Sequence, residues 1–341
     1  MLPVLFAPVM LAINDILFWT NPKPNSEDSC FPIEFHIEKE TFDLNRIIFA
    51  KTKLKLSEIP KYFETSIEGV TVSVELKVDP HFSMLDGQVS NHIYGNKDTQ
   101  RCYICEKRLS ELRECRHESE DGLRCNLGIK SLHSTLRIFD KILEIRYKRG
   151  IRICSKNTEK SLKLTIGLEN KAIIAANKKS IHKKFWDNLG IDVDRPKQGF
   201  GTTTTGKCAK VALENFECTS KILKFDKGLL EKINKLGKFL YSCDPINLDE
   251  FSMLTEQIKH DWLKLIPGEN ITPTIHIILD HGPKTIENLF LMPGLFTEEG
   301  LESTHKKIRE IKLNLSRNCS RKDKIFDILK RLFFNAYVAF D

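Results

Sequence analysis

Two short spacings in this sequence join residue types that bind metal ions. Cys102-Tyr103-Ile104-Cys105 has the gap that lets both sulfurs of one tight turn reach a single tetrahedral ion. His276 and His281, in HIILDH, have four residues between them, a gap found in the second half of many Cys2His2 sites. Four protein ligands leave no open position for substrate or water, so a centre built from them is structural. Each pair also has a plainer reading: two small buried hydrophobes for the cysteines, a shared helix face for the histidines. The pairs are far apart in sequence, so a joint site would tie distant parts of the fold together.

The carboxylates offer a second chemistry. Asp86 follows a strand-like piece, where a side chain can project from the end of a sheet. Glu302 lies in EEGLESTHKKIREIK, a helical pattern with Glu302, Lys306, Arg309 and Lys312 on a charged face. Metal-dependent phosphoryl transfer needs several such carboxylates converging on two Mg²⁺ ions about 4 Å apart. On composition alone, Asp86 reads as a turn Asp-Gly and Glu302 as the i,i+4 partner of Lys306. The run from Gly201 to Gly206-Lys207-Cys208 misses the phosphate-binding loop at its last position, where a thiol replaces the Mg²⁺-binding hydroxyl. Polar, turn-rich VDRPKQGF precedes it instead of a buried strand, so a glycine-rich connection is expected there.

The chain has 341 residues, 41% hydrophobic and 29% charged, which excludes a disordered or fibrous protein and suffices for one large or two ordinary domains. Its net charge of +7 permits a polyanionic partner without demanding one. The surplus is local: from Lys141 to Lys184 thirteen Lys/Arg stand against three acidic residues, more than the excess of the whole chain. Such a run is either a solvated helical face or a polyphosphate-binding surface, and the uneven distribution favours the second. Ten cysteines, irregular apart from the close pair, are too sparse for a secreted disulfide scaffold and point to a reducing compartment. The apolar opening MLPVLFAPVMLAINDILFW lacks a basic leader and is broken by Pro3, Pro8 and Asn14-Asp15. That argues against a signal peptide or membrane span and for a buried strand and a turn.

The elements that must position these residues divide into a strand-rich first part and a helical remainder. FPIEFHIEKET alternates with Phe31, Ile33, Phe35 and Ile37 on one side, and Val70 to Val78 alternates without fault. A helix is predicted over 43–61 between them. After Cys105 the period changes: Leu132, Leu136, Phe139, Ile142 and Leu143 mark an amphipathic helix in SLHSTLRIFDKILEIRYKRG. Further helices are predicted at 226–241, 246–266, 270–281, 298–315 and 322–336.

The order of these features resembles the catalytic core of Transib-type DDE transposases and of the catalytic subunit of the V(D)J recombinase, with their arthropod transposon relatives. The resemblance covers about residues 20–335. It is carried by TNPKPNSEDSCFPIEFHIEKET, LDG followed by RCYIC, LGIKSLHSTLRIFDKILEIRYK, WDNLGIDVDRPKQGFGTTTTGK and TPTIHIILDHGPKTIENLFLMPGLFTEEGLESTHKKIRE.

The resemblance implies an α+β fold: a ribonuclease-H-like mixed sheet, N-terminally truncated, with a large zinc-stapled helical insertion. Residues 1–101 would be the partial sheet region, 102–281 the mostly helical insertion bracketed by the zinc site, and 282–341 the C-terminal helices carrying the catalytic-type Glu. Cys102, Cys105, His276 and His281 would bind structural Zn²⁺. Asp86 and Glu302 would be the second and third catalytic carboxylates, holding Mg²⁺ or Mn²⁺ for DNA strand cleavage and transfer. The first catalytic Asp falls upstream of Met1, so the chain is expected to begin after it and to be inactive alone. Arg146, Lys148, Arg149, Arg152, Lys178, Lys179, Lys183 and Lys184 would hold the phosphates of double-stranded DNA. The expected location is the nucleus, with no membrane partner, and a homodimer is compatible with the family. The alternative is a non-catalytic, zinc-stapled remnant that binds DNA or a protein.

Overall fold

The structure is a computed structural model that describes residues 2–6, 10–13, 16–21, 26, 30–36, 40–59, 62–67, 69–75, 85, 87–114, 124–153, 160–197, 201–289, 292–317 and 320–338. In chain order, β1 (Leu2–Phe6), β2 (Met10–Ile13), β3 (Ile16–Thr20) and β4 (Phe31–His36) precede α1 (Phe42–Ser57), β5 (Tyr62–Ile67), β6 (Val70–Glu75) and α2 (Gly87–Ile93). Next come α3 (Ser131–Tyr147), α4 (Lys160–Leu189), β7 (Arg195–Lys197), β8 (Gly201–Thr203), α5 (Gly206–Glu214), α6 (Phe216–Leu223), α7 (Lys227–Leu240) and α8 (Leu248–Leu265). Then α9 (Pro273–His276), a π-helical turn (Ile277–His281) and α10 (Gly282–Glu287) run on without a break. The last elements are α11 (Glu299–Glu310), a second π-helical turn (Ile311–Leu315) and α12 (Arg321–Val338).

These elements form two compact units. The first comprises Met1–Lys107, Ser119–Gly128 and Glu298–Asp341. Its strands pair antiparallel and only in twos: β1 with β4, β2 with β3, and β5 with β6. The expected ribonuclease-H-like mixed sheet is therefore corrected: among the described residues no sheet exceeds two strands. The reason is local. β5 and β6 meet at the pair Ile67–Val70, and Gly69 takes a positive φ of 82° in the two-residue turn. A turn that tight returns the chain directly alongside itself, whereas parallel pairing needs a crossover of a dozen or more residues. In the same unit, Thr41 caps α1 by accepting from the Leu44 N–H, and Asn45 links α1 to α2 through His92 Nδ1 at 2.9 Å. Ile308, Ile311, Ile328 and Leu332 join the last two helices in a small core.

Among the described residues, the second unit, Arg108–Glu118 and Ile129–Thr297, has helices and one strand pair, the β7–β8 hairpin. Its core follows helical spacing: Leu229, Leu230, Ile233, Leu236 and Leu240 on α7 pack with Phe251, Leu254, Ile258 and Trp262 on α8. Asp226 and Asn247 start these helices by accepting from the N–H three residues on, as capping residues do. Phe139 of α3 meets Phe185 of α4 edge-on at 5.9 Å. Arg113 closes the end of α8 by donating to the carbonyls of Ile266 and Glu269. The predicted helices at 226–241 and 246–266 are α7 and α8, while α4, α5 and α6 lie outside every span predicted. The threonine-rich run after Gly201 is a hairpin strand leading to Thr205, which caps α5. Among the described residues no helix is long and apolar enough to cross a membrane.

Candidate metal centre

The cysteine pair lies in a tight turn whose shape comes from the backbone. Glu106 donates its N–H to the Cys102 carbonyl at 2.9 Å, and Cys102 donates to Lys107 at 3.0 Å. Glu106 sits at φ 59°, which lets the chain double back after Cys105. Tyr103, buried between the cysteines, stacks on Tyr94 at 5.8 Å and fixes the turn in the first unit. The Cys102 thiol pKa is pushed far up, first by its hydrogen bond with Cys105 and then by burial. Backbone N–H groups of Cys105 and Ile104 point at the same sulfur and act the other way.

The histidine pair is placed by a departure from α-helical geometry. Thr272 caps α9 and Pro273 occupies its first turn, a start set by sequence. In an α-helix, residues five apart lie roughly 140° apart around the axis. The π-helical turn Ile277–His281 widens the winding instead, because its bonds span five residues. The His276 and His281 rings therefore meet edge-on, with centroids 4.7 Å apart and the two Nε2 atoms 3.0 Å apart. Behind His276, its Nδ1 faces Asp280 Oδ2 at 2.8 Å, and Asp280 Oδ1 is bonded by Lys259 of α8. His276, Asp280 and His281 are all buried.

One ligand atom from each of Cys102, Cys105, His276 and His281 lies within 4.8 Å of the others, so the four can hold a metal ion. Two sulfurs and two imidazoles are a donor set suited to tetrahedral zinc.

No protein-family model matches this chain, and no curated protein matches it significantly.

Asp86 lies outside the described residues, as do Cys115 and Cys154. Glu302 is exposed in the first turn of α11, and its N–H is bonded to the Glu298 carbonyl. Among the described residues, only the Cys/His group brings three or more potential metal ligands together. The basic candidates separate into two sets. Lys148 pairs with Glu144, Arg152 with Glu169 at 3.3 Å, and Lys178 with Asp194 at 2.7 Å, while Arg146 is half-buried. Arg149, Lys179, Lys183 and Lys184 project into solvent.

Asp280 and Lys259 are the contributors that sequence reasoning missed. Asp280 had a signal, being four residues after His276 and so on its side of a helix. Lys259 had none, since only the packing of α8 against the histidine-bearing helix delivers it.

Proposed function

We propose that this chain is a transposase-derived protein whose helical body is stapled by one zinc ion and binds double-stranded DNA without cutting it. The observation that carries the reading is the Cys102, Cys105, His276 and His281 group, buried at every position but the half-buried Cys105 and formed by two turns that each align their pair. With four protein ligands the ion is a structural staple. DNA binding is supported by the local excess of Lys/Arg and by the exposure of Arg149, Lys179, Lys183 and Lys184, which would neutralise phosphates without reading bases. The nucleus is the matching location, and a homodimer is compatible with the reading.

Absence of cleavage belongs to the same proposal. Among the described residues Glu302 belongs to no group of three or more potential metal ligands, where a two-metal centre needs several carboxylates converging, and misalignment alone costs such sites many orders of magnitude. Metal analysis of the purified protein is expected to give one Zn²⁺ per chain, lost in Cys102→Ser. Gel-shift titration is expected to show duplex DNA affinity that falls steeply with salt. Zinc-free folded protein, or no binding at low salt, would sink the corresponding half of the reading. Mg²⁺- or Mn²⁺-dependent nicking that Glu302→Gln abolishes would restore the catalytic reading.

A further inference from the structure

His276 uses its two ring nitrogens for different purposes. Nε2 faces Nε2 of His281, the other histidine of the metal-ligand group, at 3.0 Å. Nδ1 faces the Asp280 carboxylate at 2.8 Å, and the other Asp280 oxygen receives the Lys259 ammonium. The side chains of His276 and Asp280 are 0% and 1% exposed, and that of Lys259 is 17% exposed. A carboxylate this deep is retained only where it is paired and hydrogen-bonded. Here one oxygen stands within ion-pair distance of the back of a ligand imidazole, and the other is bonded by a cation from a different helix.

We propose that Asp280 and Lys259 are a positioning relay for the metal centre, in which Asp280 fixes the tautomer and orientation of His276 and Lys259 fixes Asp280. This rests on the metal reading above. A neutral imidazole carries one N–H, and with that proton on Nδ1 and donated to Asp280, Nε2 keeps the lone pair that a metal requires. Carboxylate partners of this kind orient ligand histidines and raise their basicity.

The charge count explains the lysine. A divalent ion with two thiolates is neutral, so Asp280 alone would leave a buried negative charge. Lys259 cancels it, and the relay adds direction without net charge. The π-helical turn makes room for the arrangement, because Asp280 reaches the back of His276 while His281, the next residue, reaches its front.

The test uses the full-length protein as wild type, Asp280→Asn, Lys259→Met and Lys259→Arg. Zn²⁺ affinity is read by competition with a chromophoric chelator, and the ligand set by Co²⁺ absorption. Asp280→Asn is expected to keep one ion and the Co²⁺ bands of two thiolates and two imidazoles, with affinity about 10- to 100-fold weaker. Lys259→Met should weaken binding in the same direction, and Lys259→Arg should recover most of the loss. The chelator-stripped variants should melt with the stripped wild type. Wild-type affinity in both Asp280→Asn and Lys259→Met would overturn the relay and leave the metal reading standing. So would a parallel loss of stability in the stripped proteins, which marks a packing role. A wild type that binds no metal would instead overturn the metal reading itself. Should Asp280→Asn fail to fold, the Lys259→Met and Lys259→Arg pair decides the question alone.

Discussion

The backbone N–H of Gly294 donates to the Ser242 carbonyl at 2.9 Å, so the two backbones lie against each other with no room for a side chain. A Cβ at Gly294 would stand 2.5 Å from the Tyr241 carbonyl oxygen and 2.6 Å from that of Ser242. Backbone cannot step aside as a side chain can. Gly294→Ala is expected to destabilise the protein by about 1–3 kcal/mol or more, the usual cost of overpacking. Gly206 provides the control: its Cβ would meet the Leu132 Cδ1 methyl at 2.3 Å, at the end of a side chain that can rotate. Denaturant unfolding should therefore rank Gly294→Ala below Gly206→Ala, and the reverse order would contradict the close approach.

Metal removal should act on stability. Binding energy at a structural site is folding energy, because the unfolded chain holds no formed site. Chelation is expected to lower the melting temperature of the wild type, with recovery on adding Zn²⁺. His281→Ala should begin near the stripped value and respond to neither reagent. Equal sensitivity in the two proteins would place the effect elsewhere.

The exposed lysines of α4 should govern the salt dependence of DNA binding. Replacing Lys179, Lys183 and Lys184 together by alanine removes up to three phosphate contacts, so the slope of log affinity against log salt should fall by about 2 to 3. Thermal stability should hardly change, as these side chains project into solvent. Lys178→Ala is the contrast, since it also breaks the pair with Asp194. Fluorescence anisotropy at several salt concentrations checks the slope, and an unchanged one would remove this face from the interface.

Asp140 should give the second unit a pH-dependent stability. Burial raises its carboxyl pKa, opposed by a hydrogen bond from Thr204 and by Arg137. The folded state thus holds the proton more tightly than the unfolded state. The resulting stability is complete below the ordinary carboxylate range and is lost as pH rises through the folded pKa. Asp140→Asn, which never ionises, should melt higher than wild type at pH 7, with the gap closing below about pH 4. A gap that persists in acid would show that the substitution acts through packing.

Helices whose apolar residues repeat on one face were legible in the sequence. α7 and α8 carry both the repeat and the capping residues Asp226 and Asn247, so pattern and start signal agree. α4 was missed because its apolar residues do not keep to one side: Phe185 is fully buried, while Leu168 and Trp186 are 60% and 59% exposed. The alternation beginning at Val70 identified a strand. Alternation records which way side chains point and says nothing of how many strands lie alongside, so the mixed sheet did not follow from it. At the metal centre, Cys102, Cys105, His276 and His281 were readable because ligand type and spacing are local properties. The Asp280–Lys259 contact joins two helices, and no spacing rule reaches across them.

The π-helical turn between the histidines has a consequence for the chain that follows it. Histidines four apart on a plain α-helix would also share a face. Deleting one residue from Ile277–Leu279 could therefore leave both rings together. Everything downstream would lose its phase, however, because each residue of α-helix carries about 100° of rotation and about 1.5 Å of rise. Thr285 and Ile286 of α10, now buried, would be turned away from their neighbours. The extra residue works as a phase setting for α10, so a one-residue deletion there should be harder to tolerate than any substitution between the histidines.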